Sequence, residues 1–255
     1  MDLTNDMPLV TIITIVSNNV STIRNAIQSV AFQDYKNIEH IVIDNCSTDG
    51  TLEAIEEQKK LLAKIISEPD KGIYFALNKG ISLSNGKIIG FLNSDDVLKS
   101  RVSISLIVKK LLVKGTDAVY GDLQYFAKRR PNVVSRRWKA GHYSDKKFNQ
   151  GWMPPHPTFY AYKSIYTEYG FFDEAYEISS DYDMMIRLFY QHKINATYIP
   201  KVLVKMQRGG ISNQNLSSII KKTKEDFQIM KRYNFGLSTL LNKTFRKVSQ
   251  LIFKD

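Results

Sequence analysis

Apolar and polar residues come in alternating blocks along the first hundred positions. Leu9–Val16 is a run of apolar, mostly β-branched residues and reads as a buried strand. Val20–Phe32 carries apolar residues at helical spacing, with Asn19 or Ser21 as the cap. The same reading predicts strands over Ile38–Ile43, Ala63–Ser67 and Lys87–Leu92, and helices over Asp49–Gln58 and Ile73–Leu83. Strands separated by helices of this length point to an α/β fold with a parallel, doubly wound sheet. Past Leu98 the pattern is mixed. Val102–Val113 and Asp181–Gln191 read as helices, while Ala118–Tyr120, Leu123–Phe126 and Ala196–Ile199 read as short strands. Asn215–Tyr233 and Leu237–Phe253 read as terminal helices. The chain has no internal repeat and no low-complexity linker, so one domain over 1–212 with a helical, basic extension over 213–255 is expected.

In sheets of this kind ligands sit outside the carboxyl ends of the strands. Polar clusters fall at each of those ends: Ser17-Asn18, Asp44-Asn45, Glu68-Pro69-Asp70 and Asn93-Ser94-Asp95-Asp96. The last is the most telling. Adjacent carboxylates at the end of a buried strand are costly unless something neutralises them. A divalent cation carrying a phosphate is one solution, and hard oxygen ligands suit magnesium or manganese. The other reading is that Asp95 and Asp96 cap a helix starting near Lys99. Asp44 can accept from a donor such as a nucleobase N–H, or it can form a turn. Asp49, with Thr48, reads as a helix cap. Asp70 and Lys71 suit sugar and phosphate contacts at a helix start, or an acidic capping loop. Asn78 can face the cleft.

Composition narrows the setting. Cys46 is the only cysteine, so no internal disulfide forms. No apolar run reaches the roughly 18–20 residues that span a bilayer, and the acidic start Met1–Asp6 is not a secretory signal. A cytoplasmic protein is expected. Residues 1–100 hold 9 Lys/Arg against 13 Asp/Glu, whereas residues 101–255 hold 27 against 12. The basic surplus belongs to the second part and attracts nucleic acid, anionic lipid or phosphorylated substrates. Leu237, Leu241, Phe245, Val248 and Ile252 form one stripe, with Lys243, Arg246, Lys247 and Lys254 elsewhere on the wheel. That pattern fits a helix lying on an anionic membrane surface, or one packed on the domain or on a dimer partner.

The ordered segments Val10–Thr14, Ile41–Thr51, Ser67–Tyr74 and Leu92–Asp96 together resemble the family 2 glycosyltransferases, nucleotide-sugar enzymes with the GT-A fold. The resemblance covers roughly residues 7–212. It implies a Rossmann-like, mostly parallel central sheet flanked by helices, with a nucleotide-binding half of about 7–98 and an acceptor-side half of about 99–212. It implies Asp44 as the partner of the base, Asp96 as the direct ligand of Mn2+ or Mg2+, and Asp95 facing ribose or donor sugar. Thr14, Ser17, Asp70, Lys71, Gly72 and Asn78 join the substrate-binding set. Many relatives carry Pro-x-Tyr-Asn where this chain has Ile15-Val16-Ser17-Asn18, so base stacking on residue 17 is not implied.

Ser179–Leu188 resembles the family's acidic motif at a helix start, which makes Asp181 the general base that deprotonates the acceptor. Ser180 stands where Glu is usual, which leaves Asp183 as a second candidate. Both can instead stabilise a helix N-terminus. Arg187 reads as a structural ion-pair partner. His156 lines the acceptor pocket, contacts the diphosphate, or serves as a structural hydrogen-bonder. Arg208, beside Gly209-Gly210, reaches the diphosphate or sits solvated. The Gln-x-x-Arg-Trp motif of processive synthases is absent, which argues for transfer of a single sugar. The expectation is inverting transfer of a hexosyl or N-acetylhexosaminyl group from a UDP-sugar. The expected acceptor is a hydroxyl of a saccharide or polyprenyl-diphosphate-linked saccharide, at the cytoplasmic membrane face. Two alternatives are a nucleotide-sugar-binding protein without turnover and a basic nucleic-acid-binding domain. The second leaves acidic clusters at the strand ends that repel a polyanion, so no nucleic-acid partner is expected. A homo-oligomer is left open.

Overall fold

The β-branched runs of the first hundred residues lie side by side. β1 (Val10–Val16) pairs in parallel with β2 (Ile38–Asp44), and β2 pairs in parallel with β3 (Lys64–Ser67). The structure is a computed structural model that describes residues 7–127, 130–208, 216–236 and 238–243. α1 (Ile23–Ala31), α2 (Thr51–Glu56) and α3 (Ile73–Leu83) connect these strands and lead to β4 (Ile88–Phe91), which pairs in parallel with β1. α1 turns Ile23, Ala26, Ile27 and Val30 inward, the face that its 3.6-residue period dictates. It packs on one side of the sheet with α2, whereas Tyr74, Ala76, Leu77 and Ile81 of α3 cover the other side.

The second half extends the same sheet. It comprises β5 (Val97–Leu98), α4 (Ser103–Leu111), β6 (Ala118–Ala127), β7 (Arg130–Trp138), α5 (Asp145–Asn149), β8 (Tyr160–Tyr162), α6 (Lys163–Tyr169), α7 (Ser180–Met185), β9 (Ala196–Gln207) and α8 (Leu216–Arg232). Among the described residues the strand order is β3-β2-β1-β4-β8-β6-β9-β5, with β7 paired to β6. β8 runs antiparallel to both β4 and β6. At that junction Gly90 leaves room for the Tyr160 ring; a Cβ there would stand 1.9 Å from a ring carbon.

Several elements differ from the sequence reading. Ala118–Tyr120 and Leu123–Phe126 are halves of the single strand β6, joined through Gly121-Asp122. There the register with β9 shifts, from Gly121 opposite Ile199 to Asp122 opposite Val202. Ala196–Ile199 is only the opening of β9, and Pro200-Lys201 bulge out where a residue without an N–H is tolerated. α7 continues as a π-helix over Ile186–Gln191. α4 begins at Ser103, so Asp95 and Asp96 cap no helix. Asp49 also precedes the cap: Gly50 holds that position in the left-handed region, and the Asp49 carboxylate accepts Thr51 N at 3.0 Å and Val20 N at 3.1 Å.

The extension joins the main core. Ile229, Met230 and Phe235 are buried in the same cluster as Tyr120, Phe148, Trp152 and Phe189. Residues 238–243 are helical. Lys243, expected on the polar side of a membrane-facing helix, is buried instead. Its Nζ lies 2.9 Å from Asp226 and over the Tyr182 ring, because α8 supplies the carboxylate and α7 the aromatic face. Leu241 of the expected membrane stripe is exposed, and the rest of the stripe, Leu237 and residues 244–253, lies outside the described residues, as do Gly209 and Gly210. Among the described residues no helix is long and apolar enough to cross a membrane.

Candidate active site

The carboxyl ends of β1, β2, β3 and β4 share one rim of the sheet. Asp44 ends β2 and is fully buried. It accepts Ser47 N at 3.0 Å, the Ser47 hydroxyl, and the Ser67 hydroxyl at 2.6 Å, so it organises the loops after β2 and β3. Asn45 Oδ1 accepts the Asp70 N–H at 2.8 Å. Asp70 Oδ1 lies 2.5 Å from Lys79 Nζ, while its Oδ2 is buried with no hydrogen-bond partner among the described residues. Ser17, Lys71 and Gly72 are exposed on the same rim, Gly72 as the residue that precedes α3.

The turn after β4 is tied to the start of α1. Asn19 Nδ2 donates to Ser94 Oγ and the Thr22 hydroxyl to Ser94 O, each at 2.9 Å. Asp96 is completely buried. Its carboxylate accepts Asn93 Nδ2 at 3.0 Å and Gln207 N at 3.2 Å, and neither donor is charged. Burial, and then the neighbouring Asp95 carboxylate, push the Asp96 pKa well up from the usual carboxylate range. Asp95 and Gln207 line a cavity of about 220 Å3 between α1, β5 and the ends of β6 and β9.

Asp181 stands in the first turn of α7. His156 Nδ1 lies 2.9 Å from its Oδ2, and the Tyr74 hydroxyl 3.4 Å from its Oδ1. Burial alone would raise this carboxyl; His156, followed by Lys222 and Lys243, reverses that and holds it below the usual range. Asp181 is therefore ionised at neutral pH. Burial raises the phenol of Tyr125 on β6; the Arg136 guanidinium opposes this, and the charges of Asp96 and Asp181 add to the rise. The Arg136 guanidinium stacks 4.7 Å from the Tyr125 ring centre. Burial pulls the Arg136 pKa down, Tyr125 opposes this, and Arg208 adds to it as a like charge nearby. Arg208 is exposed just past the end of β9, its N–H bonded to Phe126 O at 2.9 Å.

Three expected site residues face elsewhere. Thr14 is fully buried and its hydroxyl meets His40 Nε2 at 2.9 Å, so it belongs to the core. Asn78 donates to Phe172 O at 3.0 Å and to Glu174 Oε1 at 2.8 Å, and accepts Phe172 N at 3.0 Å. Its amide clamps a loop, with both N–H donors taken. Asp183 is fully buried, with the Tyr233 hydroxyl at 3.1 Å and Arg187 at 3.8 Å. Burial outweighs the Arg187 and Arg232 guanidiniums and raises its pKa. It braces α7 against α8.

Residues 11–174 match the family model described as Glycosyl transferase family 2. The chain belongs to glycosyl transferase family 2. An uncharacterized glycosyltransferase of Mycobacterium tuberculosis is 28% identical over 232 residues, covering 90% of this chain and 87% of that protein. A putative teichuronic acid biosynthesis glycosyltransferase, TuaG of Bacillus subtilis, is 35% identical over 100 residues, 38% of this chain and 40% of that one. Among solved structures, S. aureus TarS in complex with UDP-GlcNAc superposes with a TM-score of 0.65 at 16% identity, over 78% of this chain and 58% of the TarS chain. The mannosyltransferase PcManGT of Pyrobaculum calidifontis, in complex with GDP-Man and Mn2+, gives 0.64 at 19% identity, over 94% and 70%. The architecture of this family 2 glycosyltransferase is thus the GT-A fold.

Tyr74, Tyr125, Arg136, Ser47 and Ser67 escaped the sequence reading. Tyr74 sits inside a recognised segment, yet its reach to Asp181 spans 107 positions. Arg136 lies in a basic run whose neighbours carry the same charge. Nothing local marks the one that stacks on an aromatic ring.

Proposed function

We propose that this glycosyltransferase moves one hexosyl or N-acetylhexosaminyl group, with inversion, from a UDP-sugar to a hydroxyl of a saccharide or polyprenyl-diphosphate-linked saccharide. The observation that carries the reading is an ionised Asp181 held by His156 at 2.9 Å, together with a buried Asp96 whose two described hydrogen-bond donors are neutral. Asp181 accepts a hydrogen bond from the acceptor hydroxyl and takes its proton as the oxygen attacks the anomeric carbon. The bond from that carbon to the diphosphate oxygen breaks on the opposite face, and the nucleoside diphosphate leaves. A base must lie within hydrogen-bond reach of the group it deprotonates, and the half-buried His156 at Oδ2, with the Tyr182 N–H 2.9 Å from Oδ1, holds the Asp181 carboxylate in one orientation.

Asp96 fits a divalent cation. It is buried, meets only neutral donors and sits beside a second carboxylate. Mg2+ and Mn2+ take one or two carboxylates and complete their shell with phosphate oxygens and water. Such an ion, held by Asp96 with Asp95 beside it, supplies positive charge to the diphosphate when bound. On the nucleotide side Asp70 Oδ2 has no hydrogen-bond partner among the described residues, which leaves it as an acceptor for a ribose or base donor. Asp44 orders the loops there and accepts from the base. Ser17, Lys71 and Gly72 line the same rim, and Arg208 with Arg136 faces the diphosphate. Excess basic charge in residues 101–255 supports a site of action at an anionic membrane surface.

UDP release from a panel of UDP-sugars, with and without Mn2+, tests the reading. Asp96→Ala is expected to lose metal-dependent release by at least 100-fold while keeping its fold by circular dichroism. Release from Asp96→Ala at the wild-type rate would overturn the assignment.

A further inference from the structure

α8 lies outside the residues that match the family model, yet one buried carboxylate on it grips the active-site loop. Glu225 is 6% exposed. Its Oε1 accepts the Glu177 N–H at 3.0 Å, and its Oε2 accepts those of Ile178 and Ser179 at 2.9 Å each. These are consecutive main-chain donors. Ser179 is the cap residue of α7, and Asp181 follows two positions later.

The other side of the loop is held as well. The Tyr74 hydroxyl donates to Ile178 O at 2.7 Å and stands 3.4 Å from Asp181 Oδ1. Lys222, three residues before Glu225, pairs with Asp226 at 3.0 Å and reaches Ser179 Oγ at 3.4 Å. Residues 177–179 are thus clamped between α8 and α3. A buried carboxylate is costly unless its lone pairs are met. Here main-chain N–H groups meet them, which only an acceptor at both ends of the side chain permits.

We infer that Glu225 is a positioning residue for the reaction: through the backbone of Glu177–Ser179 it fixes the first turn of α7 and so the place of Asp181. The inference rests on Asp181 being the base. A displacement of about 1 Å at a reacting group lowers rate by roughly 100-fold. The nucleotide side of the rim is built on β2, β3 and the turn after β4, and the hydrogen bonds of Glu225 go to residues 177–179 and not to those segments. Loss of Glu225 should therefore slow turnover and spare nucleotide binding.

Glu225→Gln keeps the volume and replaces one acceptor end by an NH2 that confronts an N–H. The assays are UDP release from UDP-glucose, UDP-galactose and UDP-N-acetylglucosamine with Mn2+, UDP affinity by calorimetry, and thermal unfolding. The expected result is release at least tenfold slower, with UDP affinity within twofold of wild type and cooperative unfolding retained. Release within twofold of wild type overturns the inference. So does a loss of UDP affinity that matches the loss of rate. Asp181→Asn, assayed alongside, separates the two levels. Wild-type release from Asp181→Asn, or no release by the wild-type protein from any of these sugars, sinks the functional reading itself. An inactive Asp181→Asn beside a fully active Glu225→Gln sinks only the positioning role. Should Glu225→Gln fail to fold, Tyr74→Phe removes a single hydroxyl from the other side of the same loop. It must show the same split between rate and affinity, and a wild-type rate there overturns the inference.

Discussion

His40 and Asp181 are both removed from water, and their neighbours send them opposite ways. His40 has only the Thr14 hydroxyl at Nε2, and its Nδ1 lacks a hydrogen-bond partner among the described residues. Complete burial pushes its pKa down to about 3. In the unfolded chain the ring titrates near its ordinary value of about 6.5. Between those values the unfolded state binds one more proton, so stability falls as pH drops through that window and is level above it. From pH 7 to pH 5 the loss from this ring is about 2 kcal/mol. Urea unfolding of His40→Gln should show a pH 7-to-5 decrement smaller than wild type by that amount, and an equal decrement in both proteins would contradict it. Asp181, by contrast, keeps its charge because His156, Lys222 and Lys243 outweigh its burial. The sequence names the polar residue types but not which way each one faces. Asp95, Asp96 and Asp181 are singled out by the motifs around them, but Thr14, Asn78 and Asp183 drew the same expectation and spend their polar groups on other parts of the fold, and no one-dimensional signal foretells that.

Elements were legible in proportion to how far local pattern alone decides them. β1, β2 and β4 are buried on both faces, since helices cover the sheet on either side, and their cores of β-branched residues read as strands. β8 is three residues long, too short to show a period, and it was missed together with α6. β6 was read as two strands because Gly121-Asp122 interrupts its apolar run. Asp122 is there to accept the Ala140 N–H at 2.9 Å and the Tyr198 hydroxyl at 2.7 Å, a tertiary purpose that leaves no mark in the sequence. The β4–β8 seam depends on Gly90. A methyl group at that position would enter the fully buried Tyr160 ring, 1.9 Å from its nearest carbon. Gly90→Ala is expected to lower unfolding free energy by about 1–3 kcal/mol or more through overpacking, read as a lower urea midpoint with unchanged slope. An unchanged midpoint would mean that the seam relaxes freely.

At the scale of the molecule, the C-terminal extension is a working part of the fold. It sends Ile229, Met230 and Phe235 into the principal core and Glu225 to the active-site loop. Each large apolar side chain fully buried contributes about 1.5–3 kcal/mol, and whole domains are stable by only about 5–15 kcal/mol. A chain ending at Arg208 should therefore give no cooperative thermal transition, as followed by circular dichroism. A sharp melt in that truncated form would show that the first 208 residues fold unaided.

β8 hydrogen-bonds to β4 on one edge and to β6 on the other, so the loops of the two halves hang from one unbroken ladder. Swapping a half from a relative would require re-knitting that ladder at its narrowest strand. Chemistry can diversify here only by rewriting what is suspended from the ladder, while the rungs themselves stay put.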